Sequence, residues 1–275
     1  MRIYKILNNN AVVVKENGEE KIVMGSGIAF QKRKNDIIPK SKIEKVFTVK
    51  EENERFQELL RTLPEEHIAT AEGIITYAEQ KLGVTFSPHI HIALSDHLSF
   101  ALERLQKGLQ IQNKLLNEIK VLYKEEYKIA QWAQEYIKEQ LDVDIPDDEA
   151  GHIALHIHTA KMDDQSMNKT LTQTTMINDG IETLQACLEM PIDKESIAYQ
   201  RLITHLRFAL TRVEHEEEFH AMDIDMFNMI RSKYHEAFHC SAVMAKILSK
   251  EYGVYFPESE IAYLALHVQR IKNKV

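Results

Sequence analysis

Two spacings of hydrophobic positions divide the chain. Over residues 1–50 the apolar side chains fall in short runs rich in Val, Ile and Phe: Ile3 to Leu7, Ala11 to Lys15, Lys21 to Met24, Ile28 to Gln31 and Ile43 to Val49. Asn8-Asn9-Asn10, Asn17-Gly18, Gly25-Ser26-Gly27 and Lys34-Asn35-Asp36 separate them. Short runs bounded by turn residues predict strands. Asn17-Gly18 predicts a tight hairpin, since glycine tolerates the positive φ that such a turn needs. About 50 residues bury only a small core, so this sheet is expected to need a cover, most simply a second copy of itself.

From about Glu51 the period becomes helical. Leu59, Leu60 and Leu63 precede Pro64; Ile68, Ala71, Ile74, Ile75 and Ala78 share one face of a helix over 65–82 that Gly83 stops. Further helices are expected over 94–105, 115–127, 129–141 and 148–161. After a polar stretch at 162–168, read as a linker, the pattern runs again over 171–190, 196–213, 223–235, 237–252 and 258–273. The second half repeats the first. His97-Leu98-Ser99-Phe100-Ala101-Leu102-Glu103-Arg104 returns as His205-Leu206-Arg207-Phe208-Ala209-Leu210-Thr211-Arg212, 108 residues later, and the segment from Pro146 to Ile157 returns at Pro257 to Val268, displaced by 111. A period of this size fits a duplicated domain, not a solenoid. The expected fold class is multidomain: a small antiparallel β-sheet domain at 1–56, then two homologous all-α five-helix bundles at 57–168 and 169–275.

Charge sharpens the division. Residues 1–50 hold eleven Lys/Arg against five Asp/Glu, so a net charge of −8 for the chain leaves −14 on the rest. A basic module on an acidic body suits an anionic partner. At 44% hydrophobic and 28% charged the chain reads as a globular protein. Its apolar runs fall short of the ~20 residues of a membrane span, and Met1-Arg2-Ile3-Tyr4 leads directly into a strand pattern, not a signal peptide, so no membrane insertion and a cytoplasmic location are expected. Cys187 and Cys240 have neither a disulfide-framework nor a metal spacing, and are expected to be reduced thiols.

Thirteen histidines raise the question of a metal site. His152 and His156 stand one turn apart, but a metalloprotease helix needs Glu directly after the first His, where this chain has Ile153. The second copy has Tyr263 in place of His152. No metal, no cofactor and no catalytic residues are therefore expected. What the repeat keeps is His97 and His156, then His205 and His267, with no Ser, Cys or duplicated carboxylate triad read beside them. Neutral imidazole is a good nucleophile toward a phosphoryl donor, and the added charge can repel or recruit a facing surface. Arg104, Arg212 and Arg270 are candidate cationic neighbours. In the basic module, Gly25-Ser26-Gly27-Ile28-Ala29-Phe30-Gln31-Lys32-Arg33-Lys34 combines a glycine-bordered turn, an aromatic able to stack on an unpaired base and three adjacent cations for phosphates. Asn8 and Asn10 add paired donors and acceptors.

Lys5-Ile6-Leu7-Asn8-Asn9-Asn10, the 25–32 segment and Ile43-Glu44-Lys45-Val46-Phe47 closely resemble the RNA-binding domain of the BglG/LicT/SacY family of transcriptional antiterminators, and the helical repeats resemble its paired regulation domains, targets of the sugar phosphotransferase system. Leu63-Pro64-Glu65-Glu66-His67-Ile68 and the 92–101 segment look nearest to its sucrose-responsive members. The resemblance implies a dimeric β module that binds a leader-mRNA hairpin and blocks the overlapping terminator. It implies RNA contacts at Lys5, Asn8, Asn10, Gly25, Gly27 and Phe30, with Ser26, Gln31, Lys32 and Arg33 beside them; Ser26 stands where the family often has Arg. It implies phosphorylation at His97 and His156 by a sugar-specific enzyme II, inhibiting, and at His205 and His267 by the carrier HPr, activating in some members and dispensable in others. A histidine phosphocarrier without specific RNA binding is the competing reading. A DNA-binding activator would need a helix-turn-helix, and residues 1–50 read as strands; no DNA partner is expected.

Overall fold

The computed structural model describes residues 1–16, 19–47, 53–161 and 167–273. The strands are β1 (Ile3–Asn8), β2 (Ala11–Glu16), β3 (Glu19–Met24) and β4 (Lys45–Phe47); they form one antiparallel sheet in chain order. The helices are α1 (Asn53–Thr62), α2 (Glu65–Leu82), α3 (His89–Gln106), α4 (Leu116–Leu122), α5 (Lys124–Leu141), α6 (Asp147–Ala160), α7 (Met167–Leu188), α8 (Ile197–Glu214), α9 (Ile224–Lys233), α10 (His235–Tyr252) and α11 (Glu258–Lys272). The fold class is the expected one: a small antiparallel sheet followed by helical domains. None of the described helices is long and apolar enough to cross a membrane.

The chain forms two compact units. One comprises 1–112 with 125–164, the other 113–124 with 165–275. In the first, alternation along β2 sends side chains to opposite faces of the sheet, and both faces are covered by the same chain. Val13 joins Leu7, Ala11, Ile22 and Met24 against Leu60, Ile68 and Ile92 of α1, α2 and α3. Val12 and Val14 join Ile3 and Val23 beneath Ile28, Ala29 and Ile38. The sheet thus has a helical cover on one face from its own chain.

The strand expected at Ile28–Gln31 is instead a chain of turns. Ile28 N donates to Gly25 O, Phe30 N to Gly27 O and Lys32 N to Ala29 O. Gly27 and Gln31 both take positive φ, 59° and 56°. These turns fold Ile28 and Ala29 down as a lid and leave Phe30 outside, 61% exposed. The expected Asn17-Gly18 turn, the end of the 43–49 strand and most of the 162–168 linker lie outside the described residues. Farther along, the helix expected over 115–127 breaks at Tyr123, so α4 is short.

In the second unit α4 packs with α7 and α8. Its Glu118 is fully buried and accepts from Tyr199 Oη at 2.6 Å and Lys194 Nζ at 3.2 Å. Cys187 on α7 is bonded to Cys240 on α10, which corrects the expectation of reduced thiols. The two helices lie together in the unit and bring the cysteine Cα atoms to 5.5 Å, a neighbourhood that a separation of 53 residues conceals.

Candidate functional sites

In the first unit, α3 and α6 bring three histidines together. The ring of His97 lies with its centroid 5.4 Å from that of His152 and 5.0 Å from that of His156. α3 buries Leu94, Leu98, Ala101 and Leu102, which turns His97 toward α6. On α6, Glu149, His152 and His156 form one stripe at helical spacing. Glu149 is 2% exposed. Its Oε1 accepts from Arg104 Nη2 at 2.7 Å and its Oε2 lies 3.3 Å from His97 Nε2. Burial alone would raise the Glu149 carboxyl, but His97 and Arg104 outweigh it and hold the group down at about 2. Burial, reinforced by the charge of His97 and His152, pushes His156 down to about 3; it is a neutral imidazole at pH 7. A cleft of about 450 Å³ opens here, lined by His89, Asp96, His97, Phe100, Arg104 and His156.

The second unit repeats the arrangement with α8 and α11. The rings of His205 and His267 are 4.8 Å apart, and His205 Nε2 lies 2.6 Å from Oε1 of Glu260, itself 2% exposed. Burial first, then the charges of His205, Arg270 and Arg201, push His267 down to about 4. The cleft holds about 390 Å³, bordered by Ile197, Arg201, Thr204, His205, Phe208 and His267.

Glu149 and Glu260 are the residues that sequence reasoning missed. Both are the third helical residue after a proline, Pro146 and Pro257, where acids are expected simply to complement the helix dipole. The repeat contained the signal: the two glutamates correspond at the same 111-residue offset as His156 and His267. A duplicated carboxylate therefore does stand beside the histidines, contrary to expectation. Of the candidate cations, Arg104 touches Glu149 and Arg270 acts on His267 through its charge; Arg212 makes neither kind of contact with Glu260 among the described residues.

On the sheet, Asn8, Asn10, Gly25, Ser26 and Gly27 come together. Asn10 N donates to Asn8 Oδ1 at 2.9 Å, Gly27 N to Asn10 Oδ1 at 2.6 Å, and Gly25 N to Asn10 O at 3.0 Å. A Cβ on Gly25 would stand 1.8 Å from Lys42 O, so the chain approach here admits glycine alone. Phe30, Gln31 and Arg33 lie exposed and Lys32 half-buried on the succeeding turns. Lys5, exposed on β1, donates to Gln57 Oε1 at 3.1 Å. The asparagine turns also meet the helices: Asn8 Nδ2 donates to Leu60 O at 2.8 Å and Asn9 N to Glu65 Oε1 at 3.0 Å. Nearby, Glu72 on α2 binds Lys45 of β4 and His91 of α3, both at 2.6 Å. Among the described residues, no group of three or more His, Cys, Asp or Glu is placed to hold a metal ion.

The geometry is thus a β module with a glycine-pinned basic turn, followed by two helical repeats that each set a histidine pair beside a buried carboxylate. The CAT RNA binding domain family matches residues 1–56, and the PRD domain family matches residues 72–160 and 178–271. The chain belongs to the BglG/LicT family of transcriptional antiterminators. It is 36% identical to the transcription antiterminator LicT of Bacillus subtilis, over 98% of this chain and 99% of that protein. It is 33% identical to the beta-glucoside operon antiterminator of Dickeya chrysanthemi, over 100% of this chain and 98% of that one. A crystal structure of GlcT CAT-PRDI superposes with a TM-score of 0.55 at 33% identity, covering 59% of this chain and 98% of that structure.

Proposed function

We propose that residues 1–56 bind a leader-mRNA hairpin as a dimer and so prevent the terminator from forming, and that phosphorylation of His97, His156, His205 and His267 sets whether they do. The observation that carries this reading is the pairing, in one chain, of a CAT RNA binding domain with two histidine clefts of the same construction. Lys5, Asn8, Asn10, Gly25, Ser26, Gly27, Phe30, Gln31, Lys32 and Arg33 form the RNA surface, with Phe30 as the stacking aromatic. Residues 57–168 and 169–275 are the regulation domains; a sugar-specific enzyme II donates to the first and HPr to the second. The inducing signal is sucrose or a related sugar of the beta-glucoside class; a relative named for a beta-glucoside operon supports the latter.

Asn8 bonding to Leu60, Asn9 to Glu65 and Lys45 to Glu72 support a direct mechanical link, because α3 carries both His91, the other partner of Glu72, and His97. A phosphate on His97 adds up to about two negative charges to that helix, and repacking there reaches the asparagine turns in two contacts. Action on nascent mRNA supports a cytoplasmic location.

The test is binding of the chain to its leader hairpin, to a scrambled hairpin and to duplex DNA at one salt concentration. Selective hairpin binding that weakens by about 1–3 kcal/mol in Phe30→Ala is the expected result. Equal binding to all three, fading together as salt rises, would reduce the basic turn to a nonspecific patch and favour the phosphocarrier.

A further inference from the structure

We propose that Glu149 and Glu260 are positioning residues for phosphoryl transfer: each engages Nε2 of its histidine, so that Nδ1 of His97 and Nδ1 of His205 are the atoms phosphorylated. The inference rests on the phosphohistidine reading above and adds the atom and the residue that selects it.

The second site carries it, and the first has the same arrangement at a longer distance. At His205, Nε2 and the Glu260 carboxylate are 2.6 Å apart. An ionised carboxylate only accepts, so Nε2 bears the hydrogen and Nδ1 keeps the lone pair. At His97, Nε2 is buried without a hydrogen-bond partner, and Oε2 of Glu149, likewise unpartnered, stands 3.3 Å from it, an ion-pair distance. The His97 side chain is nevertheless 19% exposed, and that exposure falls on the rest of the ring. A purely helix-starting role does not explain the glutamates: Asp147 and Glu258, at the same helix ends, are exposed to water, whereas Glu149 and Glu260 are withdrawn from it and turned to an imidazole. Fixing a histidine's tautomer through its second nitrogen is a general way to prepare the first.

The step balances with a phosphohistidine donor protonated on its other ring nitrogen. The Nδ1 lone pair attacks phosphorus, the donor's P–N bond breaks, and its electron pair stays on the donor ring, which leaves neutral. The acceptor becomes a phosphoimidazolium that keeps its Nε2 hydrogen, and the adjacent carboxylate offsets the positive charge without any proton moving.

The test uses the full chain labelled by HPr, regenerated with phosphoenolpyruvate and enzyme I, and reads the phosphohistidine isomer by ¹⁵N-resolved NMR. In a His267→Ala background the expected product is Nδ1-phosphohistidine at His205 alone. Glu260→Gln, which keeps the shape, should slow labelling about ten-fold, the usual range for losing the orienting partner of a functional histidine. Glu260→Ala should yield both isomers while the thermal unfolding profile keeps its form. At His267 the buried, unpartnered nitrogen is Nδ1, so label there should appear on Nε2, an internal control within one chain. Nε2-phosphohistidine at His205, or wild-type rate and isomer in Glu260→Gln and Glu260→Ala, would overturn the inference and leave the regulatory reading intact. No label on any of the four histidines would overturn both.

Discussion

The two histidine clefts share a plan and differ in how each divides its carboxylate. In the first, Arg104 and His97 both draw on Glu149, at 2.7 and 3.3 Å. In the second, Glu260 lies 2.6 Å from His205 Nε2, with no arginine bonded to it among the described residues. The first cleft has a third imidazole, His152, where the second has Tyr263. Duplication kept the histidine pair and the buried acid and let the compensating charge drift. Arg104 already neutralises the acid of the first cleft, so an arriving phosphate meets a balanced site. At the second, Arg201 and Arg270 act on His267 from the side, and the acid is left to the imidazole.

The sharpest way to break the comparison is to empty the clefts. His97→Ala with His156→Ala should make antitermination independent of the inducing sugar, raising uninduced read-through about ten-fold, within the usual span of coupling between sites. His205→Ala with His267→Ala should not raise it. A reporter downstream of the leader terminator distinguishes them, and unchanged sugar dependence in the first pair would end the inhibitory role.

The disulfide offers the next largest contrast, since the only cysteines lie in the second unit. Once formed, it should stabilise that unit by about 2–4 kcal/mol through the constrained unfolded chain. Adding dithiothreitol should lower the unfolding temperature of the second unit and leave the first unmoved. Equal shifts in both would contradict a bond that acts within the second unit alone.

Arg104→Met leaves Glu149 buried with a lost donor and should cost about 1–3 kcal/mol of stability. The repeat counterpart, Arg212→Met, should stay within about 0.5 kcal/mol, as expected where no such partner is lost. Equal costs by thermal unfolding would mean that the clefts share their charge alike.

The smallest effect is on pH. His156 and His267 lie at about 3 and about 4, below their ordinary value, and Glu149 lies at about 2, below its own. All three are depressed in the folded state, so the unfolded chain binds protons first on acidification. Their contribution is therefore present above the unfolded values and is lost as pH falls. Between pH 7 and pH 5.5 each histidine should cost about 1 kcal/mol, seen as a falling calorimetric midpoint that flattens in His156→Gln and His267→Gln. A midpoint constant over that range would contradict the neutral, buried imidazoles.

The sheet-then-helices plan was legible in local pattern: short apolar runs such as Ala11 to Lys15 bounded by turn residues, period 3.6 over Ile68 to Ala78, and Gly83 in the left-handed conformation where the helix stops. The errors arose where local pattern and tertiary placement disagree. Ile28-Ala29-Phe30 has strand composition, but two positive-φ residues bend it into a lid. Glu149 and Glu260 read as dipole acids because helical position is visible in sequence while the direction a side chain faces is not. Cys187 and Cys240 meet only through the packing of α7 against α10. The asparagine and glycine positions of the basic turn were legible one by one; that Asn10 ties Gly25 and Gly27 together needed the fold.

The central claim is that charge on a histidine cleft controls the RNA surface, and differently in the two repeats. The direct measurement is hairpin affinity of the full chain at fixed salt, unmodified and after phosphorylation confined to one repeat by alanine at both histidines of the other. The account predicts that phosphate on the first repeat abolishes selective hairpin binding and that phosphate on the second preserves or strengthens it. Equal affinity in all three states would contradict it.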